Sequence, residues 1–291
     1  VKNGIEIASD NVSLDLTGFT MSGGDPNSLD GILVNTSRKN VTICNGKIRG
    51  WGANGINANF TSNVTVRNVK TVSNGINGIT VYESSTVQSC TTTGNSGDGI
   101  YAYLNCIVKD CSVKSNSGIG IRLNFNCVVT GCAVYENGTD GQTHPGIFGN
   151  TSCTINDCAI ALNKDDGIRI GLTSSVTDCT LSQNSGDGIE ASTYATISNC
   201  SIQSSGGYGI LYVYNATIRG CTVTTSGDDG IHGGSHALIS GNTVTGGGAD
   251  GIEVENYNTI QNNHCSNNNW DGTNGGRGIH VIGSFNRIDG N

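Results

Sequence analysis

One 21-residue unit repeats through most of this chain and limits the folds that it can adopt. Most units open on Gly-Ile, have Val or Ile nine residues after the glycine, and carry Cys or Asn three residues later. A fixed period of this length predicts a solenoid in which one supersecondary unit forms each turn. The glycines of the repeated dipeptide are Gly4, Gly31, Gly55, Gly78, Gly99, Gly120, Gly146, Gly167, Gly188, Gly209, Gly230, Gly251 and Gly278.

Within a unit, the apolar residues are spaced as in short strands. In the unit that begins at Gly167 they are Ile168, Ile170, Val176 and Leu181. Short runs of period two that are separated by Gly, Asn, Ser and Asp are strand signals. Strands this short can satisfy their backbone groups only by pairing with the same strand of the next turn, about 4.8 Å away. We therefore predict an all-β fold, a single parallel β-helix of about 13 rungs with three short strands per rung.

Stacking in register predicts columns of like residues that run along the axis. The predicted core comprises Ile168, Val176, Ile189, Ile197, Ile210, Ile218, Ile231 and Ile239. Asparagine forms a column seventeen residues after the glycines, at Asn95, Asn116, Asn137, Asn163, Asn184 and Asn268. We expect these asparagines to adopt the left-handed backbone that a sharp corner needs, and their stacked amides to bond one another.

Ten of the twelve cysteines fall into two further columns. The longer column is Cys90, Cys111, Cys132, Cys158, Cys179, Cys200 and Cys221, continued by Asn242 and Asn263, and the shorter is Cys106, Cys127 and Cys153. We interpret them as buried small residues that fill a corner. Neighbours about 4.8 Å apart could also close disulfides in an oxidising compartment, which is the alternative.

The repeat covers nearly the whole chain, so we predict one domain at residues 1–291. The predicted parts are irregular N-terminal rungs at 1–77, regular 21-residue rungs at 78–263, and a C-terminal rung with an inserted loop at 264–291. Insertions interrupt the repeat at 138–145 and 268–276. Loops on a rigid scaffold are common places for binding sites.

Charge and hydropathy exclude two kinds of partner. The net charge is −8, with 15 Lys plus Arg and no basic run. Nucleic-acid binding needs clustered cations, so this composition argues against it. No apolar stretch approaches the roughly 20 residues of a membrane-spanning helix. We therefore predict neither a nucleic-acid partner nor a membrane span.

Three segments carry a resemblance to a known family: LDLTGF at 14–19, NGKIRGWG at 45–52, and the repeated units of DGI followed by cysteine. With them the chain resembles the bacterial right-handed parallel β-helix repeat proteins of the pectate-lyase-like superfamily. The resemblance implies a right-handed solenoid at an extracellular or cell-surface location. The fold is shared by pectate lyases, polygalacturonases, epimerases, phage tailspikes and surface proteins, so it implies no single activity.

A polar outward face follows each Gly-Ile. Aromatic faces there could stack on sugar rings, and charged side chains could bond hydroxyls or uronates. The spacing of one position per turn suits a repeating polymer, so we predict polysaccharide as the partner. The predicted substrate-binding residues are Tyr101, Tyr103, Arg122, Phe148, Arg169 and Glu190.

A row of aspartates precedes the glycines, and Asp-Gly is also ordinary turn chemistry. The alternative is a pair of catalytic carboxylates. Asp166 and Asp187 would lie about 4.8 Å apart along the axis, and Asp187 and Asp229 about 9.6 Å. Retaining and inverting glycosidases use separations of roughly 5 Å and 6.5–9.5 Å. The candidate catalytic residues are Asp166, Asp187, Asp229, Arg169 and His232.

The segment at 226–236, SGDDGIHGGSH, resembles the Gly-Asp-Asp motif of polygalacturonases. The remaining motifs of that family are missing, and so is the Asp-Pro-His signature of alginate epimerases. We therefore transfer no catalytic set from these families.

No cofactor is required by this interpretation, although two metal sites are conceivable. The corner carboxylates Asp228, Asp229 and Asp250 could hold calcium, which prefers oxygen ligands. His232, Glu253 and His280 align on three successive rungs and could hold a transition metal instead.

Two functions remain open. The absent motif sets favour an extracellular or cell-surface β-helix that binds polysaccharide or has a structural role, without catalysis. The alternative is a polysaccharide lyase, glycoside hydrolase or epimerase that acts on an acidic polysaccharide in a lateral groove. Val1 and Asn291 each fall within a rung that lacks a cap. We therefore expect a longer secreted or surface-anchored protein, with end-to-end self-association as the second expectation.

Overall fold

A computed structural model describes residues 2–269 and 276–291 of the chain. These residues form 35 β-strands and no helix. A helix with the length and apolar character needed to cross a membrane is accordingly not found in this described part. The chain divides into two compact units, residues 1–148 and 149–291. The predicted rung start at Val1, and most of the predicted insertion at 268–276, lie outside the described residues.

The first unit begins with strands of unequal length. β5 and β6 contain 11 and 17 residues, whereas every later strand has three or five. The strands before the division are β1 (Ile5–Ile7), β2 (Ser13–Asp15), β3 (Thr20–Ser22), β4 (Ile32–Val34), β5 (Lys39–Arg49), β6 (Ile56–Val72), β7 (Ile79–Glu83), β8 (Thr86–Gln88), β9 (Thr91–Thr93), β10 (Ile100–Leu104), β11 (Ile107–Lys109), β12 (Ser112–Lys114), β13 (Ile121–Phe125), β14 (Val128–Thr130) and β15 (Ala133–Tyr135). The next strand, β16 (Ile147–Thr151), includes residues on either side of the division.

The second unit is more regular, with three strands in each complete turn, as predicted. Its strands are β17 (Thr154–Asn156), β18 (Ala159–Ala161), β19 (Ile168–Ile170), β20 (Ser175–Thr177), β21 (Thr180–Ser182), β22 (Ile189–Ala191), β23 (Thr196–Ser198), β24 (Ser201–Gln203), β25 (Ile210–Tyr214), β26 (Thr217–Arg219), β27 (Thr222–Thr224), β28 (Ile231–Ser235), β29 (Leu238–Ser240), β30 (Thr243–Thr245), β31 (Ile252–Val254), β32 (Thr259–Gln261), β33 (His264–Ser266), β34 (Ile279–Val281) and β35 (Arg287–Asp289).

Strands pair in parallel with the equivalent strand of the next turn. In the second unit Ile189 of β22 lies opposite Ile210 of β25, and Ile210 lies opposite Ile231 of β28. The register therefore advances by one repeat per turn, which confirms the predicted parallel β-helix. The described residues form about 11 turns. The predicted number of about 13 counted every Gly-Ile, including the last at Gly278, after which only β34 and β35 follow.

The predicted core is confirmed. All eight of its residues, Ile168, Val176, Ile189, Ile197, Ile210, Ile218, Ile231 and Ile239, have a relative exposure of 0%. Each stacks on an apolar residue at the same position of the adjacent turn, as Ile197 does on Val176 and Ile218. Burial of this continuous apolar column stabilises the turns, because strands of three residues are not stable alone.

Glycine is required in the Gly-Ile repeat because neighbouring turns approach closely there. A Cβ placed on Gly188 would lie 2.5 Å from the carbonyl oxygen of Gly209, and 2.4 Å from Cγ2 of Ile202. Both distances are below van der Waals contact. The repeat of glycine therefore follows from sterics between turns.

Each complete turn of the second unit bends at three residues with a left-handed backbone. In the turn that begins at Gly188 they are Tyr194, Asn199 and Ser204, with φ of 60°, 55° and 54°. The residue that follows each of them is buried, as Ala195 is at 1% exposure. The left-handed residue thus changes the direction of the chain at the corner, and the side chain of the next residue points inward.

This geometry corrects the role predicted for the asparagine column. The left-handed conformation belongs to the residue before each asparagine, such as Ser115 before Asn116. The asparagines themselves point inward, where their amides bond one another as predicted. Asn95 Nδ2 donates to Asn116 Oδ1 at 2.9 Å, and Asn116 Nδ2 donates to Asn137 Oδ1 at 3.0 Å. Because these groups are fully buried, the ladder also satisfies polar atoms that water cannot reach.

The cysteine columns follow the same arrangement. None of the twelve cysteines, all of which lie among the described residues, forms a disulfide in this structure, and all but Cys265 are buried. Cys265 is half-buried, and burial raises the pKa of its thiol to about 11. Their burial agrees with the interpretation of the columns as small residues that fill a corner.

Candidate functional site

An aspartate stands at several Gly-Ile corners of the second unit, and one of its oxygens bonds to the next turn. Asp166 Oδ1 accepts the Asp187 N–H at 2.8 Å. Asp187 Oδ1 accepts the Tyr208 N–H at 2.8 Å, and Asp229 Oδ1 accepts the Asp250 N–H at 2.7 Å. One carboxylate oxygen of each of these aspartates therefore has a structural role, and the other is left for outward contacts.

Three carboxylates contact the guanidinium group of Arg169. Its Nη2 atom lies 2.6 Å from Asp166 Oδ2 and 3.1 Å from Asp165 Oδ2. Its Nε atom bonds to Glu190 Oε2 on the next turn. The side chains of Asp165 and Asp166 are only 13% and 5% exposed, so the cluster is held firmly. Burial raises the pKa of both aspartates.

Asp187 lies one turn further on and differs from the other corner aspartates. Three residues after it stands Glu190, where Asp166 and Asp229 have Arg169 and His232. Among the residues that the structure describes, Asp187 forms no ion pair. Burial, followed by the negative charges of Asp166 and Glu190, raises the pKa of Asp187 to about 6. This carboxyl can therefore carry a proton at mildly acidic pH.

His232 is held between carboxylates of its own turn and the next. Its Nδ1 atom lies 2.8 Å from Asp229 Oδ2 and 3.3 Å from Glu253 Oε1. The hydrogen bond with Asp229 raises the pKa of His232, and the negative charges of Asp229 and Glu253 raise it further. The ring of Tyr208 stacks on the imidazole, with centroids 4.5 Å apart and planes 17° apart.

His280 repeats this arrangement on the far side of Glu253. Its Nδ1 atom lies 2.8 Å from Asp250 Oδ2 and 2.7 Å from Glu253 Oε2. Glu253 pairs in register with His232 on one side and His280 on the other. The alignment of these three residues on successive turns is therefore as the sequence predicts. Arg277 also reaches this group, with Nη1 3.2 Å from His280 Nδ1.

The first unit carries the aromatic residues of the predicted binding surface. Tyr103 stacks on Tyr82, with centroids 4.6 Å apart and planes 4° apart. Arg122 lies over the ring of Phe148 at 6.0 Å and forms an ion pair with Asp98 at 2.5 Å. Part of the aromatic surface is thus in contact with neighbouring side chains of the same unit.

The predicted site residues fall into separate groups. Tyr101, Tyr103, Arg122 and Phe148 belong to the first unit, and the other predicted residues belong to the second. Within the second unit, Arg169 is brought together with Asp166 and Glu190, whereas His232 is brought together with Asp229. The roles predicted for these residues stay predictions.

Sequence reasoning missed Tyr208, which stacks on His232, and it placed Asp165 beside the row of corner aspartates without predicting it as a site residue. Tyr208 replaces aspartate in the row of corner residues, and this interruption of the repeat was the available signal. Burial raises the pKa of the Tyr208 hydroxyl.

The calcium site expected at Asp228, Asp229 and Asp250 also stays a prediction. Asp229 and Asp250 each use Oδ1 to accept a backbone N–H and direct Oδ2 at a histidine. Burial and the neighbouring charge of Asp229 raise the pKa of Asp228. Calcium usually takes six to eight oxygen ligands, and these groups would have to exchange their present contacts to supply them.

Several solved structures share this architecture. The A-module of a mannuronan C-5 epimerase, AlgE4 from Azotobacter vinelandii, superposes with a TM-score of 0.66 at 14% identity, over 97% of this chain and 82% of that chain. The catalytic unit of a GH87 α-1,3-glucanase from Streptomyces thermodiastaticus gives a TM-score of 0.65 at 14% identity, over 94% and 61% of the two chains.

A third similar structure is the receptor-binding domain of the tailspike of Siphovirus 9NA. Its TM-score is 0.54 at 10% identity, over 97% of this chain and 72% of that chain. At such identities the similarity shows the fold alone. No curated protein matches the chain.

The family assignment rests on the sequence itself. The chain matches the family described as "Right handed beta helix region" in three overlapping segments, residues 1–123, 54–195 and 145–291. Together these segments span the entire chain, and the parallel turns of each unit agree with the family's name. The chain therefore belongs to the right-handed β-helix family.

Proposed function

We propose that this protein binds a polysaccharide without altering the polymer. The binding surface is the outward face of the strands that begin at the isoleucine of each Gly-Ile. The carrying observation is a row of outward side chains, one per turn, on the paired strands of the second unit. In-register pairing places these side chains on one line with a constant repeat. The row consists of Arg169, Glu190, Leu211, His232, Glu253 and His280.

A row with a constant spacing suits a polymer, because successive monomers can lie against successive turns. The side chains in the row are also held in place before any ligand arrives, as Arg169 is by its carboxylates. Such preorganisation reduces the entropy lost on binding. Two of the similar structures are those of a mannuronan epimerase and an α-1,3-glucanase, and this supports the same substrate class.

The charge of the second unit favours an uncharged polymer, or one that carries amino groups. Carboxylates outnumber cations around Arg169, where Asp165, Asp166 and Glu190 meet one guanidinium group. A polyanion would place further negative charge beside them, which is unfavourable. We therefore prefer a neutral or amino-sugar polymer to the acidic polysaccharide considered for the catalytic alternative.

Affinity electrophoresis tests the proposal in gels that contain a neutral glucan, chitosan, alginate or polygalacturonate. We expect retardation by the neutral or amino-sugar polymer. Arg169→Ala should weaken it at least several-fold, because Glu190 and Asp166 lose the group that positions them. Arg219→Ala is a matched control, since Arg219 is an exposed arginine on β26 of the same unit. Equal mobility in all gels, or equal loss in both variants, would reject the proposal.

The aromatic surface of the first unit is tested separately. If Tyr101, Tyr103, Arg122 and Phe148 bind glycan, Tyr103→Ala should reduce retardation. Tyr135→Ala serves as its control, because Tyr135 is a half-buried tyrosine on β15. Retardation that is sensitive to Arg169→Ala but not to Tyr103→Ala would confine binding to the second unit.

Glycoside hydrolysis is a second candidate, and Asp187 is the observation that favours it. An acid catalyst needs a carboxyl that is protonated near the working pH, and the pKa of Asp187 is about 6. In that case Asp187 would protonate the glycosidic oxygen as the bond from that oxygen to the anomeric carbon breaks. The Glu190 carboxylate would take a proton from the water molecule that attacks the anomeric carbon. Activity should then fall as pH rises through about 6.

Release of reducing ends, and of unsaturated products that absorb ultraviolet light, distinguishes binding from hydrolysis and from lyase chemistry. A hydrolase should lose its activity in Asp187→Asn and keep it in Asp178→Asn, an exposed aspartate of the same unit. If no polymer is cleaved, the binding proposal stands alone.

The proposal places the protein outside the cell or at its surface, where it would meet such polymers. End-to-end self-association remains a further prediction. Light scattering over a concentration series checks it, and a constant monomer mass would contradict it.

A further inference from the structure

Two histidines and three carboxylates converge on one side of the second unit. Asp229, His232 and Glu253 form one triad, and Asp250, Glu253 and His280 form another. In each triad one nitrogen or oxygen atom from every member lies within 4.8 Å of the others. Glu253 belongs to both triads, because its two oxygens face opposite histidines.

Within this group one imidazole nitrogen is shared between two carboxylate oxygens. His232 Nδ1 faces Asp229 Oδ2 at 2.8 Å and Glu253 Oε1 at 3.3 Å, yet an imidazole nitrogen carries at most one proton. A single proton on this nitrogen can be donated well to only one of the two oxygens. A metal ion would serve all three atoms at once.

Ligand chemistry points to a transition metal of the zinc class. Zinc binds imidazole nitrogen at about 2.0–2.1 Å and carboxylate oxygen at about 2.0–2.2 Å, and in tetrahedral geometry such ligands lie ~3.3 Å apart. The ligand atoms of the first triad are 2.8 Å and 3.3 Å apart, so small movements would admit an ion. Calcium and magnesium prefer oxygen ligands alone.

The first triad is also held in place by its surroundings. The Asp229 side chain is 6% exposed, and its Oδ1 atom is fixed by the Asp250 N–H. Tyr208 stacks on the His232 ring and limits its rotation. Such supporting contacts orient ligands and strengthen metal binding.

The second triad differs because a cation already reaches it. Arg277 Nη1 lies 3.2 Å from His280 Nδ1 and 3.6 Å from Asp250 Oδ2. A guanidinium at this distance repels a metal ion. His280, however, holds the Oε2 atom of Glu253 at 2.7 Å, which leaves Oε1 directed at His232.

We propose that one divalent transition-metal ion of the zinc class binds to Asp229 Oδ2, His232 Nδ1 and Glu253 Oε1. His280 is a positioning residue in this assignment, because it orients Glu253 through the other carboxylate oxygen. The side chains of His232 and Glu253 are 27% and 19% exposed, so solvent can reach this group. The site does not depend on the proposed polysaccharide.

A cobalt titration tests the proposal on the untagged chain after removal of metal by a chelator. Co²⁺ should bind at one ion per chain with visible d–d absorption, and Zn²⁺ should displace it. The buried cysteines are the competing ligands, and they would give an intense thiolate-to-cobalt charge-transfer band that we expect to be absent. Such a band, the absence of binding, or displacement by Ca²⁺ at similar concentration would overturn the proposal.

Variants locate the ion. His232→Ala and Glu253→Gln should each lower Co²⁺ affinity by at least a hundredfold, whereas His280→Ala should lower it by about tenfold. His236→Ala is the matched control, since His236 lies at the corner between β28 and β29 of the same unit and stacks on Tyr257 instead. Circular dichroism and melting curves establish that each variant is folded.

Equal loss of affinity in His280→Ala and His232→Ala would overturn the assignment to the first triad. Unchanged affinity in His232→Ala would exclude the site altogether.

Discussion

In the second unit the buried position after each glycine repeats isoleucine from turn to turn, whereas the outward position that follows it does not repeat a residue. Ile189, Ile210 and Ile231 stack in one buried column, and the adjacent outward residues of two of those turns are Glu190 and His232. In-register pairing places each side chain beside its counterpart in the next turn. Identical apolar side chains pack well in that position, but identical charges would repel one another.

The outward row avoids this repulsion because residues of like charge do not occupy it in adjacent turns. Arg169 is followed by Glu190, and Glu253 lies between His232 and His280. This difference between interior and exterior shows that stacking favours the same residue in successive turns only where the stacked side chains attract one another. On the outside it selects for complementary neighbours, and this produces the clusters around Arg169 and Glu253.

The corner aspartates are the exception, since like charges do stack there. Asp166 is compensated by Arg169, and Asp229 by His232, while Oδ1 of each accepts a backbone N–H. Asp187 has the backbone bond without an ion pair among the described residues, and its pKa is raised accordingly. A stacked charge is therefore tolerated where a cation or a proton offsets it.

The largest expected effect comes from placing a charge in the interior. Ile197→Asp should destabilise the protein by more than about 4 kcal/mol, because it buries an unpaired carboxylate at a fully buried position. Thermal or urea unfolding measures the loss. Thr196→Asp is the control, since Thr196 is half-buried on the same strand and faces outward. Similar melting of both variants would contradict the described register.

A smaller loss should follow when the asparagine ladder is interrupted. Asn116→Ala removes an amide that donates to Asn137 and accepts from both the side chain and the backbone N–H of Asn95. Leaving these buried groups unpaired should cost about 2–4 kcal/mol in the free energy of unfolding. Ser112→Ala, at a half-buried outward position of β12, should cost far less. If the two losses are equal, the ladder contributes little to stability.

The protonation of Asp187 should have a still smaller effect on the stability of the protein, and the direction of this effect with pH can be predicted. The pKa is about 6 in the folded protein against an ordinary value of 3.8, so the folded state binds the proton more tightly. The tighter binding of this proton stabilises the folded protein fully below pH 3.8, the ordinary pKa of aspartate. This stabilisation is lost as the pH rises through about 6.

Asp187→Asn removes the charge and keeps an oxygen for the Tyr208 N–H. Its melting temperature should exceed that of the native protein at pH 7.5, and the difference should disappear near pH 4. Asp178→Asn provides the comparison at an exposed corner. A constant difference at all pH values would show that the charge of Asp187 is not the cause.

The smallest effect concerns the thiols and leaves stability unchanged. Cys265 is half-buried while the other cysteines are buried, so it should react first with a thiol reagent. Its raised pKa makes the thiolate scarce at neutral pH, and even this reaction should be slower than that of a peptide thiol. Mass spectrometry of the partly labelled protein locates the modified residue. Rapid native-state labelling of Cys179 or Cys200 would show that the columns open.

The repeat in the sequence was sufficient to predict the turns, the parallel pairing and the core. It succeeded because in-register pairing converts a constant offset along the chain into a column along the axis. Ile197 and Asn116 could therefore be placed before any coordinates were known. The sequence did not show which corner residue takes the left-handed conformation, because Ser115 and Asn116 are both compatible with a turn.

Only the tertiary structure decided which outward atoms meet. Columns specify neighbours one turn apart, but a long side chain can reach several of them. Arg169 bonds to carboxylates of its own turn and of the next, and Tyr208 lies on His232. These contacts depend on side-chain rotamers, burial and local charge, none of which repeats with the period of the sequence. The period therefore determines the scaffold, and the candidate sites arise where the outward residues depart from it.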